Sequence, residues 1–222
     1  MEFWGNMKKI AFYGGSFDPL HNGHLTIAQE LLEVFELDKF VFIPAFHAPH
    51  KKDKKTTSAF HRFAMLCLAT SEAPPIEVSK LELELPEKPY TVETLARLKN
   101  ELSETAIFFV MGADSWADIT TWREWEKVLT LVNIIVVTRP DYEIGFAHVT
   151  DEIRARIVDL RQNPAEKSEI PRQESKIYIT DAVQIDVSAT EIRQKIREKS
   201  TAWRADVPAA VAKYIEKYEL YI

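Results

Sequence analysis

Two short runs constrain the fold of this chain more than any other feature: Phe40-Val41-Phe42-Ile43 and Ile134-Ile135-Val136-Val137. Neither alternates apolar with polar residues. A continuous run of β-branched and aromatic side chains suits a strand covered on both faces, and such strands belong to parallel sheets sandwiched between helices. The strand candidates are Lys8–Tyr13, Phe40–Pro44, Ile76–Ser79, Ile107–Met111, Asn133–Thr138 and Lys176–Ile179. Helical patterns fill the intervals at His21–Glu36, Ser58–Ser71, Val92–Leu102, Trp122–Leu131 and Asp151–Arg161. This alternation predicts a doubly wound, Rossmann-like α/β fold with a mostly parallel sheet. From about Ser188 the pattern is helical and reads as a C-terminal part packed back onto the sheet. No composition break divides the 222 residues, so residues 1–222 are expected to form a single domain. Ligands in such folds bind beyond the carboxyl ends of the strands. The turns at Gly14, Pro44–Lys51, Gly112–Ser115 and Arg139-Pro140 all follow strands and are expected to meet at one crevice.

The first of these turns carries the most chemistry. It reads Gly14-Gly15-Ser16-Phe17-Asp18-Pro19-Leu20-His21-Asn22-Gly23-His24-Leu25. A strand, a glycine turn and a helix start form an anion site, because backbone N–H groups and the helix dipole both point at the ligand. Gly14 and Gly15 let backbone approach a phosphate. His21 and His24 are three residues apart, on one face of the first helical turn, and imidazoles donate to phosphate oxygens. The Gly-x-x-x-x-Gly-Lys-Ser/Thr pattern of P-loop proteins is absent.

A second anion site is expected near the other end of the chain, in Asp186-Val187-Ser188-Ala189-Thr190-Glu191-Ile192-Arg193. Ser188 is a good N-cap, and Glu191 three residues on completes a capping box. Thr190 and Arg193 share a face near the helix start, where a hydroxyl and a guanidinium suit a polyphosphate.

Bulk properties exclude some classes of function. The formal net charge of -6 gives no broad attraction to nucleic acid or to a membrane surface. No apolar stretch approaches the roughly 20 residues needed to span a bilayer. The first residues lack the pattern of a signal peptide, and Met7 is an alternative start. The one cysteine, Cys67, lies in an apolar helical run and reads as core filling, which fits a reducing cytoplasm.

The two anion-site segments resemble the paired signatures of the nucleotidyltransferase superfamily, Gly-x-Phe-Asp-Pro-x-His-x-Gly-His and Ile-Ser-x-Thr-x-Ile-Arg, with Val187 in place of Ile. Three further stretches resemble bacterial nicotinate-mononucleotide adenylyltransferase. Pro49-His50-Lys51 matches that family's Pro-His-Lys, although Ala45-Phe46-His47-Ala48 replaces its usual upstream Asn-Pro content. Tyr90-Thr91-Val92-Glu93-Thr94-Leu95 matches its Tyr-Thr-x-x-Thr-Leu, with Pro89 in place of a preceding Ser. Gly112-Ala113-Asp114-Ser115 followed by Trp122 matches its Gly-Ala-Asp-Ser with a later Trp, and Arg139-Pro140 its Arg-Pro after the fifth strand.

The resemblance implies adenylyl transfer from ATP to nicotinate mononucleotide, giving deamido-NAD and pyrophosphate. His21, His24 and Arg193 would be catalytic. Gly14, Gly15, Ser16, Phe17, Gly112, Asp114, Ser188 and Thr190 would bind ATP. His50, Lys51, Tyr90, Thr91, Trp122 and Arg139 would bind the acceptor, with Tyr90 and Thr91 beside the nicotinate carboxylate and Trp122 stacked on the pyridine ring. Mg²⁺ would arrive with ATP, with no dedicated protein metal site. Trp116 and Trp125 read as packing residues. An adenylyltransferase for another phosphorylated acceptor, nicotinamide mononucleotide included, and a non-catalytic nucleotide-binding module stay open, as does a homo-oligomer.

Overall fold

The computed structural model describes residues 7–46, 57–84, 89–138, 143–161, 175–181 and 187–222. Seven parallel strands form one sheet in the order β3-β2-β1-β4-β5-β7-β6. The strands are β1 (Lys8–Gly15), β2 (Lys39–Pro44), β3 (Ile76–Val78), β4 (Thr105–Gly112), β5 (Asn133–Val137), β6 (Ile157–Asp159) and β7 (Ile177–Thr180). The helices are α1 (Asn22–Val34), α2 (Ala59–Thr70), α3 (Thr91–Glu101), α4 (Ala113–Ala117), α5 (Trp125–Leu131), α6 (Asp151–Arg154), α7 (Ala189–Arg197) and α8 (Ala209–Lys217). Short 3₁₀ turns cover Ile119–Thr121 and Ala202–Asp206.

The period-2 geometry of each strand sends alternate side chains to opposite faces, and both faces are buried. Ala11, Phe40, Phe42, Phe108, Val110, Ile135 and Tyr178 join one core with residues of α1, α2, α7 and α8. Phe12, Val41, Ile43, Ile107, Phe109, Ile134 and Val136 join the other with residues of α3 and α5. This is why the β2 and β5 runs need apolar residues at every position. β1 lies between β2 and β4, so the chain reverses direction across the sheet there and opens a crevice at the strands' carboxyl ends.

Three sequence expectations are corrected. Helix was expected throughout Asp151–Arg161, but α6 stops at Arg154 and Ile157–Asp159 joins β7 as an edge strand. Ile153, Ile157 and Leu160 have helical spacing. The exposed edge of β7 instead offers ladder bonds, Ile177 N–H to Arg156 O and Leu160 N–H to Ile179 O, and tertiary pairing overrides the local period. The helix expected from Trp122 begins at Trp125, after Glu124 with φ 49°, so Trp122 is left in extended backbone. Cys67 is half-buried rather than core filling, because the buried stripe of α2 runs through Ala59, Arg62, Met65, Leu66 and Thr70 and misses it. Burial pushes its thiol pKa up. Among the described residues, no helix is long and apolar enough to cross a membrane.

Candidate active site

A cleft of about 510 Å³ opens at the carboxyl ends of β1, β4 and β5. Its β1 wall starts with two glycines, and both answer first to packing. A Cβ on Gly15 would lie 2.8 Å from the Phe17 ring, and one on Gly14 would lie 3.3 Å from the Phe109 ring. The absence of side chains lets Phe17 fold under the end of β1. Its ring then makes edge contacts with Tyr13, Phe42 and His24, at centroid distances of 5.4, 5.2 and 5.0 Å. Phe17 holds φ 47°, a left-handed conformation that is costly for a non-glycine residue and is secured here by burial of the ring. Ser16, Asp18, His21, Gly23 and His24 complete this wall.

His21 is the N-cap of α1, and its ring stacks on that of His24 with centroids 3.7 Å apart. The His21 backbone N–H donates to His24 Nδ1 at 3.3 Å. That bond makes Nδ1 an acceptor, so the neutral ring carries its proton on Nε2. Burial first, and the adjacent His21 second, hold the His24 pKa well below its ordinary value. His24 is therefore a neutral, oriented donor at the start of a helix.

The same shift sets a pH dependence of stability. The unfolded chain takes up a proton near 6.5, whereas the folded chain takes it up only well below that. Stability present above 6.5 is lost as pH falls through that value towards the folded one, because the unfolded state binds more protons in this window. Melts between about pH 7.5 and about pH 5.5 are expected to show Tm falling with pH, more shallowly in His24→Gln than in the parent. Parallel slopes would remove His24 as a cause.

The opposite edge comes from the start of α7. Ser188 caps it, accepting from the Thr190 N–H at 3.3 Å, and Ser188, Ala189 and Thr190 line the cleft. Arg193 donates through Nη2 to Thr190 Oγ1 at 3.1 Å and through Nη1 to the Asp18 carbonyl. The two expected anion sites are thus joined, 175 positions apart in sequence.

The β4 and β5 side contributes Gly112, Asp114, Asp118, Trp122 and Thr138. A Cβ on Gly112 would meet no protein atom within 4 Å, so the space over this residue belongs to the cleft. Trp116 is fully buried and its indole donates to the Gly145 carbonyl at 2.9 Å, as a packing residue should. Trp125 packs against the core without full burial. Tyr90 and Thr91 are not among the cleft walls. Tyr90 is the N-cap of α3, its N–H is taken by the Glu93 carboxylate at 2.9 Å, and the Arg123 guanidinium lies 4.6 Å over its ring. Arg123 is the chain neighbour of Trp122, a residue of the cleft wall. His50, Lys51 and Arg139 lie outside the described residues.

Residues 12–195 match the family described as cytidylyltransferase-like. The chain belongs to that family. The probable nicotinate-nucleotide adenylyltransferase of Desulfatibacillum aliphaticivorans is 35% identical over 219 residues, covering 96% of this chain and 100% of its own length. That of Thermus thermophilus is 34% identical over 213 residues, covering 96% and 99%. The nicotinic acid mononucleotide adenylyltransferase of Plasmodium falciparum, solved in complex with NaAD, superposes with a TM-score of 0.73 at 21% identity, over 96% of this chain and 97% of that one. This cytidylyltransferase-like chain is therefore a nucleotidyltransferase with close relatives among nicotinate-nucleotide adenylyltransferases.

Sequence reasoning missed four residues of the site and its support: Asp118, Thr138, Arg62 and Tyr221. Asp118 and Thr138 sit beside segments already singled out, one helical turn past Asp114 and one residue before Arg139. Arg62 is 1% exposed within the apolar α2 run. It donates to the carbonyls of Thr57 (3.0 Å), Ser16 (2.6 Å), Ala45 (2.6 Å) and Phe46 (3.3 Å), pinning the β1 turn to the end of β2.

Proposed function

We propose that this chain transfers the adenylyl group of MgATP to nicotinate mononucleotide, releasing deamido-NAD and pyrophosphate. The observation that carries the reading is the convergence of the His21–His24 pair, the Ser188–Thr190 helix start and the Gly112–Trp122 wall on one cleft. In this reading a triphosphate lies between the first two, and a nucleoside against the third.

In this reading the acceptor's 5′-phosphate oxygen attacks the α-phosphorus in line. A new P–O bond forms, the bond to the β-phosphate breaks, and pyrophosphate leaves with the electron pair. The attacking oxygen is anionic at neutral pH, so no general base and no covalent enzyme intermediate are required. Rate enhancement comes from alignment and from donors aimed at developing charge. His24 offers Nε2–H to the α-phosphate, His21 assists from the helix N-cap, and backbone N–H groups of Gly15, Ser16 and Phe17 orient the phosphates. Ser188, Thr190 and Arg193 hold the β and γ groups. Asp114 receives ribose hydroxyls, with Gly112 leaving room for the nucleoside. Trp122 stacks on the pyridine ring. Tyr90 and Thr91, at the start of α3, are assigned to the nicotinate carboxylate. Lys51 neutralises charge near the acceptor phosphate, which His50 also contacts, and Arg139 binds the acceptor. Mg²⁺ is part of the nucleotide substrate, the whole chain serves this one site, and the enzyme works in the cytoplasm.

The experiment is pyrophosphate release with MgATP and either nicotinate or nicotinamide mononucleotide. Turnover with the acid is expected to exceed turnover with the amide. Turnover with neither overturns the acceptor. Trp122→Ala is expected to raise KM for the mononucleotide about three- to tenfold with little change in KM for ATP, the size of a lost ring-stacking contact. A rise confined to the ATP KM would take Trp122 off the acceptor side.

A further inference from the structure

One tie in the molecule joins the phosphate turn to a segment that plays no part in the mechanism above. The Tyr221 phenol donates to Asp18 Oδ1 at 2.8 Å, across 203 positions of sequence. Asp18 is only 4% exposed. Its other carboxylate oxygen accepts from the Thr57 N–H at 3.3 Å, and its backbone carbonyl accepts from Arg193. One residue of the turn is therefore held at three atoms by three separate segments. The chain bends to deliver the phenol. Tyr221 lies past α8 with φ 70°, left-handed backbone that a tyrosine adopts at a cost, while Leu220 donates back to the Ile215 carbonyl and closes the helix. Burial and the Asp18 carboxylate both raise the phenol's pKa, so it remains a donor.

Arg193 is the beneficiary. Its guanidinium has one nitrogen on the Asp18 carbonyl and another on Thr190 Oγ1. Arg193 is not itself among the residues lining the cleft, but its bonded neighbour Thr190 is, and a planar fork held at two nitrogens has its remaining donors fixed in direction. The Asp18 carbonyl stays in place for that bond while its side chain is held by Tyr221 and Thr57.

We propose that Tyr221 is a positioning residue for the triphosphate: it fixes Asp18, and through the Asp18 carbonyl it aims Arg193 at the β and γ phosphates. This inference rests on the assignment of ATP to the cleft. It predicts a selective loss that a simple staple of the last segment would not produce. Tyr221→Phe removes one oxygen and keeps the ring, so the fold is retained.

The test is calorimetric titration with a non-hydrolysable ATP analogue and with AMP, below the melting transition of each variant. Tyr221→Phe is expected to weaken the analogue about tenfold, the scale of one hydrogen bond to a charged group, and to leave AMP within a factor of about two. Asp18→Asn, which keeps an acceptor for the phenol, is expected to show the same selectivity at smaller size. In a double-mutant cycle, adding Tyr221→Phe to Arg193→Ala is expected to cost nothing further for the analogue. Equal weakening of both nucleotides, no weakening of either, or full additivity with Arg193→Ala overturns the proposal. A parent protein that binds the analogue but turns over neither mononucleotide overturns the acceptor assignment alone, and the same titrations still decide the role of Tyr221. A parent protein that binds neither nucleotide overturns both.

Discussion

Replacing His24 by alanine is expected to lower kcat about a hundred- to a thousandfold, with KM for ATP changed far less. The size follows from what the ring is built to do. Its Nδ1 is occupied by the His21 N–H, so its one proton sits on Nε2. Burial keeps it neutral, and stacking on His21 with an edge contact from Phe17 fixes its plane. A donor already oriented in this way needs no reorganisation when charge builds on a phosphorus beside it, so in the proposed reaction it would stabilise the transition state more than bound ATP. The loss therefore falls on kcat. His24→Gln, whose amide nitrogen reaches near the position of Nε2, is expected to recover part of it. Steady-state kinetics in both substrates, with a melting curve to establish folding, check the result. An unchanged kcat would remove His24 from the chemistry.

How much of this was readable beforehand depends on how far apart in the chain the interacting residues lie. β2 and β5 were legible because burial on both faces writes itself into consecutive residues. The His21–His24 pair was legible for a similar reason, since an i, i+3 relation in a helix is a local fact. β6 was not, because Ile157, Val158 and Asp159 become a strand only beside β7, and nothing in the three residues specifies that edge. Trp122 was identified, but its placement in extended backbone depends on the left-handed Glu124, an ordinary residue in an uncommon conformation. Arg62 and Tyr221 were least accessible. An arginine at the start of an apolar helical run reads as a solvent-facing charge, and a tyrosine near the end of the sequence reads as surface. Their partners, Ser16 and Asp18, are 46 and 203 positions away, and only the assembled sheet brings them together.

Arg62 should for that reason be the most costly single loss to stability outside the apolar core. Arg62→Met is expected to remove about 3–5 kcal/mol, the range for breaking a buried charged network from one side. Methionine fills much of the same volume, so the deficit is electrostatic rather than a cavity. Four carbonyls, those of Ser16, Ala45, Phe46 and Thr57, lose a donor at once. The Asp18 carboxylate, which acts on the guanidinium through space, loses its cationic neighbour while remaining buried. At about 2–4 °C per kcal/mol for a chain of this size, Tm should fall by about 6–20 °C. Arg62→Lys should lie between the two, because one ammonium cannot span carbonyls that a planar fork reaches together. Adding Asp18→Asn to Arg62→Met should return part of the loss, since it removes the uncompensated charge and keeps an acceptor for Tyr221. Thermal and urea melts of these four proteins check the ordering, and an Arg62→Met protein as stable as the parent would show that the carbonyls need no donor. The same substitution should lower kcat at temperatures where the protein is folded, because Ser16 lies in the turn proposed to orient the phosphates and Arg62 ties that turn to the end of β2.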